Sequence, residues 1–251
     1  MSQTRLEETV SKEKYDAVLF DMDGVLTATA KVHAVCWKKM FDQFLENRAS
    51  EKNESFNPFD IESDYKLYVD GKLRYDGVQS FIQSRGIKLP YGSPEEIPNF
   101  ETVCGLGNLK DKMVQEVLDS DGVEVYEGSI KMVRLLRKDN IKTAVVSASR
   151  NCKTVLKAAG IDDLFDFVVD GKVADEFKLA GKPEPATYLK AAKELGAEAR
   201  RAVVIEDAIS GVQAGRNGSF GLVIGVAREG NSGELKENGA DIVVADLEEL
   251  L

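Results

Sequence analysis

The chain has 251 residues, 43% of them hydrophobic and 30% charged, a composition that fills a globular core and excludes disorder or a fibrous repeat. Its net charge of −10 argues against nucleic-acid and membrane partners, because an acidic protein is repelled by phosphate groups. Three scattered cysteines and one histidine fit neither a disulfide framework nor a zinc site. We therefore expect a protein of the reducing cytoplasm.

The first 14 residues are polar and lack the apolar stretch of a signal peptide, so they predict a short solvated arm. From residue 15 onward, short apolar runs alternate with segments of helical periodicity. The runs predict buried strands at 17–20, 143–146, 202–205, 222–224 and 242–244. Helices are predicted at 130–138, 152–159, 185–195 and 209–216, and Gly160, Gly196 and Gly218 mark three of their ends. This alternation predicts an α/β fold, a parallel sheet with helices on both faces.

Residues 31–121 have a different character, because they lack compact apolar runs. They predict helices at 35–45, 78–85 and 110–118, separated by polar loops at 51–60 and 90–99. The glycine-containing run at 104–107 does not complete a nucleotide-binding loop and predicts a turn. We predict a mostly helical inserted domain at 31–121, a core domain formed by 15–30 and 122–251, and the polar arm at 1–14.

Polar side chains follow three of the predicted strands. Asp21 and Asp23 follow the first strand, Ser147 follows the second, and Glu206 with Asp207 follows the third. The carboxyl ends of parallel strands meet at one edge of a sheet, where ligands bind. Clustered carboxylates repel one another unless a cation neutralises them, so an all-oxygen site for a hard cation such as Mg²⁺ is expected there.

A positive side chain is also available for an anion bound beside that cation. Lys182 lies in a Gly-Lys-Pro loop between the second and third of these clusters. Each element alone has an ordinary structural explanation: Asp-x-Asp-Gly is often a turn, and Glu206-Asp207 could cap a helix. Their common order at strand ends favours a functional site.

These residues resemble the four motifs of the haloacid dehalogenase-like (HAD) phosphotransferases, and among them most closely the β-phosphoglucomutases. The motifs are the run Phe-Asp-Met-Asp-Gly-Val-Leu at 20–26, Ser147, Lys182 and Glu206-Asp207, and the likeness extends from residue 15 to residue 251. The resemblance implies a Rossmann-like parallel sheet with an inserted helical cap domain.

The resemblance also implies a role for each motif residue. Asp21 is the nucleophile that becomes an aspartyl phosphate, and Asp23 is the general acid and base. Mg²⁺ is held by Asp21, the backbone carbonyl of Asp23 and Asp207, with Glu206 in support. Ser147 and Lys182 bind the phosphoryl group that is transferred.

Further matches are specific to the mutases within the superfamily. The resemblance implies that Thr29 and His33 couple the placement of Asp23 to closure of the cap, and that Lys110 contacts Asp23 or substrate. The residues implied to bind the second, distal phosphate of the substrate are Arg74, Ser149, Arg150, Asn151 and Lys72. Arg150 replaces the usual lysine and keeps its charge.

The sequence departs from the mutase pattern at several positions. Ala28 and Ala186 stand where an aspartate is usual, Asp70 stands where a cap lysine is usual, and insertions near 51–64 and 89–105 lengthen the cap. These departures concern sugar specificity. The resemblance implies a monomeric, Mg²⁺-dependent enzyme that converts the small phosphorylated sugar β-glucose 1-phosphate to glucose 6-phosphate. A sugar-phosphate phosphatase and an inactive HAD-fold binding or regulatory protein are the alternatives.

Overall fold

The structure, a computed structural model, describes residues 6–53, 55–228 and 230–251. The chain divides into two compact units. The first unit comprises the described part of Met1–Ala28 together with Val123–Leu251, and the second comprises Thr29–Gly122. Among the described residues, no helix is long and apolar enough to cross a membrane.

The first unit contains a six-stranded sheet in which every strand pair is parallel. The strands are β1 (Ala17–Phe20), β2 (Lys142–Val146), β3 (Phe167–Val169), β4 (Ala202–Glu206), β5 (Leu222–Val226) and β6 (Ile242–Val244). Their order is β3-β2-β1-β4-β5-β6, so β1 is central. Val18 pairs with Thr143 on one side and with Val203 on the other. All four residues of β1 are fully buried, which explains its unbroken apolar sequence.

The first unit also contains helices, the first of which precedes β1, whereas the others lie between or after the strands. They are α1 (Leu6–Thr9), α5 (Glu127–Lys138), α6 (Cys152–Ala158), α7 (Gly171–Glu176), α8 (Ala186–Glu194), α9 (Ile209–Asn217) and α10 (Ser232–Glu237), with 3₁₀ helices at Asp162–Leu164, Ala199–Arg201 and Leu247–Leu250. Ala17 and Leu19 share one face of β1, because side chains two residues apart on a strand point the same way. They pack in one apolar cluster with Tyr188 and Ala191 of α8.

The second unit is helical. Its elements are α2 (Ala30–Lys52), a π-helix (Ile61–Val69), α3 (Arg74–Ser84) and α4 (Val103–Asp121). Aromatic rings fill much of its interior, among them those of Trp37, Phe41, Phe59 and Phe81. The ring centroids of Phe41 and Phe81 lie 4.2 Å apart and those of Phe41 and Phe59 5.1 Å apart. This unit therefore has a hydrophobic core of its own.

The structure differs from the sequence predictions at several elements, and the π-helix, α7 and α10 are among those not predicted. The strand β3 was not predicted, and α4 begins at Val103, so the segment predicted as a turn at 104–107 is helical. Gly218 does not provide the left-handed residue after α9, because its φ is −79° and Ser219 has a φ of 55° instead.

The polar arm needs a correction as well. Residues 1–5 of the predicted arm lie outside the described residues. Leu6, the first residue of helix α1, and Val10, directly after its last residue, are buried, so this part of the arm is not solvated as the sequence predicts. Burial of two apolar side chains outweighs the polar composition of the segment.

Candidate active site

The carboxyl ends of three strands bring the predicted motif residues of the first unit together. Asp21 directly follows β1, Ser147 directly follows β2, and Glu206 is the last residue of β4. The backbone amide of Asp21 still donates to the carbonyl of Ile205 at 2.9 Å, which continues the β1–β4 ladder to Asp21. Asp21, Ser147 and Glu206 are all buried, so the sheet fixes these side chains at a shielded edge.

Lys182 lies at the centre of this group. Its Nζ is 2.5 Å from Oδ1 of Asp21 and also donates to Oε1 of Glu206. The hydroxyl of Tyr188 on α8 donates to the same Glu206 oxygen at 2.9 Å. Lys182 and Glu206 are only 5% and 1% exposed. A buried ammonium group therefore bridges the two carboxylates in a setting of low dielectric.

Burial sets the protonation of this group. Burial raises the pKa of Asp21 well above its ordinary value, and the nearby Lys182 only partly offsets this effect. Burial by itself would lower the pKa of Lys182, but the carboxylates of Asp21 and Glu206 outweigh it and hold that pKa well above its ordinary value. Lys182 thus stays charged, while Asp21 needs a second cation to be ionised readily.

Three carboxylates provide a place for that cation. Asp21, Glu206 and Asp207 each offer one oxygen atom, and these three atoms lie within 4.8 Å of one another. Oε2 of Glu206 accepts hydrogen bonds from the amides of Asp207 and Ala208, both at 3.1 Å. One ammonium group cannot neutralise three carboxylates, and an all-oxygen donor set suits a hard divalent ion. The residues present therefore fit Mg²⁺.

The loop after β1 is shaped by Gly24. Gly24 has a φ of +88°, and a Cβ atom there would lie 1.8 Å from Oδ2 of Asp207. Only glycine permits both this backbone conformation and this close approach of Asp207. The amide of Gly24 donates to the carbonyl of Thr27 at 2.8 Å, and Asp23 forms a β-bridge with Thr27. These contacts fix the backbone of Asp23.

In the loop after β2, serine hydroxyls accept hydrogen bonds from backbone amides two residues further along the chain. The hydroxyl of Ser147 accepts from the amide of Ser149 at 3.1 Å, and the hydroxyl of Ser149 accepts from the amide of Asn151 at 3.2 Å. Arg150 forms an ion pair with Asp175 at the end of α7. The structure thus joins Ser147, Ser149 and Asn151 in one loop, while the guanidinium of Arg150 is engaged by a carboxylate.

The predicted residues of the second unit fall into separate local networks. Arg74, at the start of α3, is 2.5 Å from Oδ1 of Asp111 and 3.4 Å from Oδ1 of Asn108. Lys72 donates to the carbonyl of Leu67 and the hydroxyl of Ser80, at 3.1 and 3.0 Å, and its burial lowers its pKa. Both cations thus have partners within their own unit.

Lys110 and His33 are brought together in the second unit. Nζ of Lys110 is 2.9 Å from Nδ1 of His33 and lies 4.8 Å above the ring of Trp37. Lys110 is buried, and its contact with the indole face partly replaces the lost water. Thr29 is buried directly before α2, but its side chain does not cap that helix.

Two site residues have no signal in the sequence. Tyr188 occupies an apolar position of a predicted helix, and only the structure shows its hydroxyl on Glu206. Arg228 follows β5 and donates through Nε to the carbonyl of Gly24 at 2.8 Å. Both contacts join residues that are distant in sequence, so no local pattern could indicate them.

Comparison with known proteins identifies the family to which this chain belongs. The model of the haloacid dehalogenase-like hydrolase family matches residues 15–218. The chain belongs to this family. A Mycobacterium tuberculosis protein named β-phosphoglucomutase is 47% identical over 242 residues, which cover 95% of this chain and 92% of the relative. The Bacillus subtilis protein of that name is 28% identical over 235 residues, with coverage of 93% and 91%.

Solved structures agree with this family. A crystal structure of β-phosphoglucomutase from Clostridium difficile matches with a TM-score of 0.74 and 25% identity, and the match covers 94% of this chain and 93% of the other. The parallel sheet with its helices is thus the HAD fold, as predicted. The protein is an enzyme of a family whose members are phosphotransferases, isomerases or phosphatases.

Proposed function

We propose that this enzyme is a β-phosphoglucomutase, which converts β-glucose 1-phosphate to glucose 6-phosphate through a phosphorylated Asp21. The observation that carries the proposal is the buried assembly of Asp21, Lys182 and Glu206 beside a three-carboxylate cluster. This arrangement gives a carboxylate nucleophile, a fixed positive charge for a phosphoryl group, and oxygen ligands for a divalent ion. The 47% identity to a relative of that name supports the substrate.

The proposed reaction consists of two phosphoryl transfers, the first to Asp21 and the second from it. In the first, an Oδ atom of Asp21 attacks phosphorus of a glucose bisphosphate, the bond from phosphorus to the sugar oxygen breaks, and Asp23 gives its proton to that oxygen. In the second, Asp23 takes the proton from a hydroxyl of the sugar monophosphate. That hydroxyl attacks phosphorus, and the bond to Asp21 breaks. The nucleophile and the general acid-base group are thereby regenerated.

The remaining motif residues bind and orient the reacting group. Ser147 and Lys182 bind the transferred phosphoryl group in this proposal. Asp21, the backbone carbonyl of Asp23 and Asp207 would hold Mg²⁺, with Glu206 in support. When bound, Mg²⁺ stabilises the negative charge of the transferring phosphoryl oxygens. It also favours the ionised form of Asp21, which burial disfavours.

A mutase must also bind the second phosphate of its bisphosphate. We assign this role to Arg74, Ser149 and Asn151, with Lys72 and Arg150 adding positive charge. A planar guanidinium can bond two phosphate oxygens at once, which suits Arg74. Placement of Asp23 is assigned to Thr29, His33 and Lys110.

We further propose that the protein is a monomer in the cytoplasm. A cytoplasmic location agrees with three buried free thiols.

A sugar-phosphate phosphatase is the second candidate. The family model is that of a hydrolase, and Arg74 and Arg150 are each engaged by a carboxylate, Asp111 and Asp175. A phosphatase has no need of a second phosphate site, so these ion pairs would cost it nothing. The inactive binding protein is disfavoured because every catalytic position carries a competent residue.

One experiment separates these functions. The enzyme is given β-glucose 1-phosphate, Mg²⁺ and a trace of β-glucose 1,6-bisphosphate, and glucose 6-phosphate and free phosphate are measured together. A mutase forms glucose 6-phosphate, a phosphatase forms only free phosphate, and a binding protein forms neither. Asp21→Asn is the control, and it should lower turnover by about 10⁴-fold or more, because an amide is a poor nucleophile. An Asp21→Asn variant with near-normal turnover would contradict the covalent mechanism.

A further inference from the structure

Arg228 reaches the loop that carries Asp21 and Asp23, although it lies two strands away in the sheet. It follows β5, and its Nε donates to the carbonyl of Gly24 at 2.8 Å. Gly24 is the residue directly after Asp23, so this bond acts on the backbone next to the general acid and base. It is a bond to a charged donor, which is stronger than a bond between neutral groups.

The guanidinium of Arg228 has three further contacts. Its Nη1 is 2.5 Å from Oδ2 of Asp246, its Nη2 donates to the hydroxyl of Ser129 at 3.4 Å, and its central carbon lies 3.4 Å from the ring centroid of Tyr126. Asp246 is fixed in turn, because its other oxygen accepts the amide of Glu248 at 2.8 Å at the start of a 3₁₀ helix. Because Asp246 and Tyr126 hold the guanidinium of Arg228 in place, its hydrogen bond to Gly24 can fix the position of the loop backbone.

Three consecutive carbonyls of the loop receive donors in the first unit. Arg228 donates to Gly24, the hydroxyl of Ser129 donates to Val25 at 2.6 Å, and the amide of Tyr126 donates to Leu26 at 2.9 Å. Buried carbonyls need such partners. Of these three donors, the one from Arg228 acts closest to Asp23.

We propose that Arg228 is a positioning residue, which fixes the loop from Asp21 to Gly24 so that Asp23 meets the oxygen it protonates. Arg228 acts through Gly24 and not on the substrate. Lysine cannot replace it, because one ammonium group lacks the planar fork that joins Gly24 and Asp246. The catalytic part of this proposal rests on the proposed phosphoryl transfer, while the structural part concerns the loop alone.

The test uses Arg228→Lys, Arg228→Ala and a matched control, Arg216→Ala. Arg216 also pairs with an aspartate of the first unit, Asp241, at 3.3 Å, but it is exposed. We expect kcat of both Arg228 variants to fall about tenfold or more with KM changed less than about threefold, because small misplacements of a reacting group have effects of this size. Arg216→Ala should keep the kcat of the unchanged enzyme.

Two further measurements separate positioning from general stability. Added guanidinium ion should restore part of the activity of Arg228→Ala and none in Arg228→Lys, whose ammonium group blocks the vacated space. Hydrogen exchange of the Gly24 and Thr27 amides, measured without Mg²⁺, should quicken about tenfold in both variants, whereas the amides of β1 should be unchanged.

Wild-type kcat and exchange in both Arg228 variants would overturn the proposal. A loss of kcat that guanidinium does not restore, with faster exchange throughout the sheet, would assign Arg228 a structural role and would also overturn it. If the unchanged enzyme shows neither isomerisation nor phosphate release, the proposed function fails. The exchange measurement then still decides whether Arg228 fixes the loop.

Discussion

Tyr188 shows how a single buried hydroxyl can order charged groups. It donates to Glu206 at 2.9 Å, and Nζ of Lys182 lies 5.1 Å from the centre of its ring. Burial and the charge of Glu206 raise the pKa of Tyr188 well above its ordinary value, so the hydroxyl remains a donor at every physiological pH. The hydroxyl supplies a hydrogen-bond donor to Glu206 beside the proposed metal ligands Asp21 and Asp207.

Tyr188→Phe should therefore destabilise the enzyme by about 1–2 kcal/mol, because Glu206 loses a donor in a buried place. The change removes no apolar volume, so packing of α8 on the sheet should survive. Urea unfolding measures the effect. Tyr68→Phe, a change at a partly buried tyrosine of the second unit, is the control and should leave stability within about 0.5 kcal/mol. Equal stability of Tyr188→Phe and the unchanged enzyme would mean that Glu206 needs no donor beyond Lys182 and the two backbone amides.

At the scale of single residues, the sequence predicts the groups that follow strands but not those that support them. Asp21, Ser147 and Glu206 are predictable because a parallel sheet gathers strand ends at one edge. Tyr188 and Arg228 act through contacts with residues far away in the chain. Their types and spacing are those of an ordinary helix residue and an ordinary loop residue.

At the scale of elements, longer buried strands are the more predictable ones. The central strand β1 is fully buried and matches its predicted bounds. The edge strands β3 and β6 each have three residues, of which only the last is buried, and the sequence predicts β6 but not β3. Periodicity over three residues therefore does not identify an edge strand dependably. The start of α4 is hidden by Gly105 and Gly107, which lower helix propensity.

Packing explains why these glycines are in α4. A Cβ at Gly107 would lie 2.8 Å from Cδ1 of Tyr75 and 3.1 Å from Cδ of Arg74, and a Cβ at Gly105 would lie 2.3 Å from Oδ1 of Asn99. The helix therefore gives up about 1 kcal/mol of propensity at each glycine so that neighbouring side chains can approach.

Gly107→Ala tests this balance. Alanine gains up to about 1 kcal/mol in helix propensity, but displacing the ring of Tyr75 costs about 1–3 kcal/mol. The variant should therefore be less stable than the unchanged protein, and thermal unfolding should show a lower Tm. Gly233→Ala in α10 is the matched control, since a Cβ there meets nothing within 4 Å. It should stabilise the protein by about 0.5–1 kcal/mol. A stabilised Gly107→Ala would show that Tyr75 moves aside without cost.

At the scale of the whole molecule, the insertion of one unit into the other is foreseeable from composition. The change from compact apolar runs to long polar loops after residue 30 marks the inserted segment. The aromatic core of the second unit is less predictable, because Trp37, Phe41 and Phe59 come from a long helix and a loop. Their meeting depends on tertiary packing and not on local pattern.

The carboxylates clustered around Asp21 are expected to make the site depend on a cation. The net charge is −10, and three carboxylates share one small region around Asp21. Mg²⁺ at about 100 times its Kd should stabilise the folded protein by about 2.7 kcal/mol, seen as a higher Tm. Asp207→Asn should remove most of this increase.

Chelation should abolish activity, and Ca²⁺ should inhibit, because its larger, looser coordination misplaces the phosphoryl group. A Tm that does not respond to Mg²⁺ would exclude the proposed metal site.

In the proposed function, Arg74 determines whether the enzyme transfers phosphate to sugar or to water. A mutase binds a bisphosphate in two orientations, so it needs an anion site for the phosphate that does not react. Arg74 is paired with Asp111 at 2.5 Å and would have to exchange this carboxylate for phosphate. The exchange is feasible because a carboxylate and a phosphate can each accept two hydrogen bonds from one guanidinium group. The proposed function thus makes the ratio of isomerisation to phosphate release depend on Arg74.

Arg74→Ala should lower mutase turnover by about 100-fold or more, the size of effect expected from losing a charge-assisted contact in a catalytic site. Slow hydrolysis should persist, because Asp21, Ser147 and Lys182 are unchanged. Glucose 6-phosphate and free phosphate are measured in the same reaction. Arg85→Ala is the control, since Arg85 pairs with Asp64 at 2.6 Å in the same unit, and it should keep the ratio. If the unchanged enzyme releases only phosphate and Arg74→Ala does the same at the same rate, the enzyme is a phosphatase.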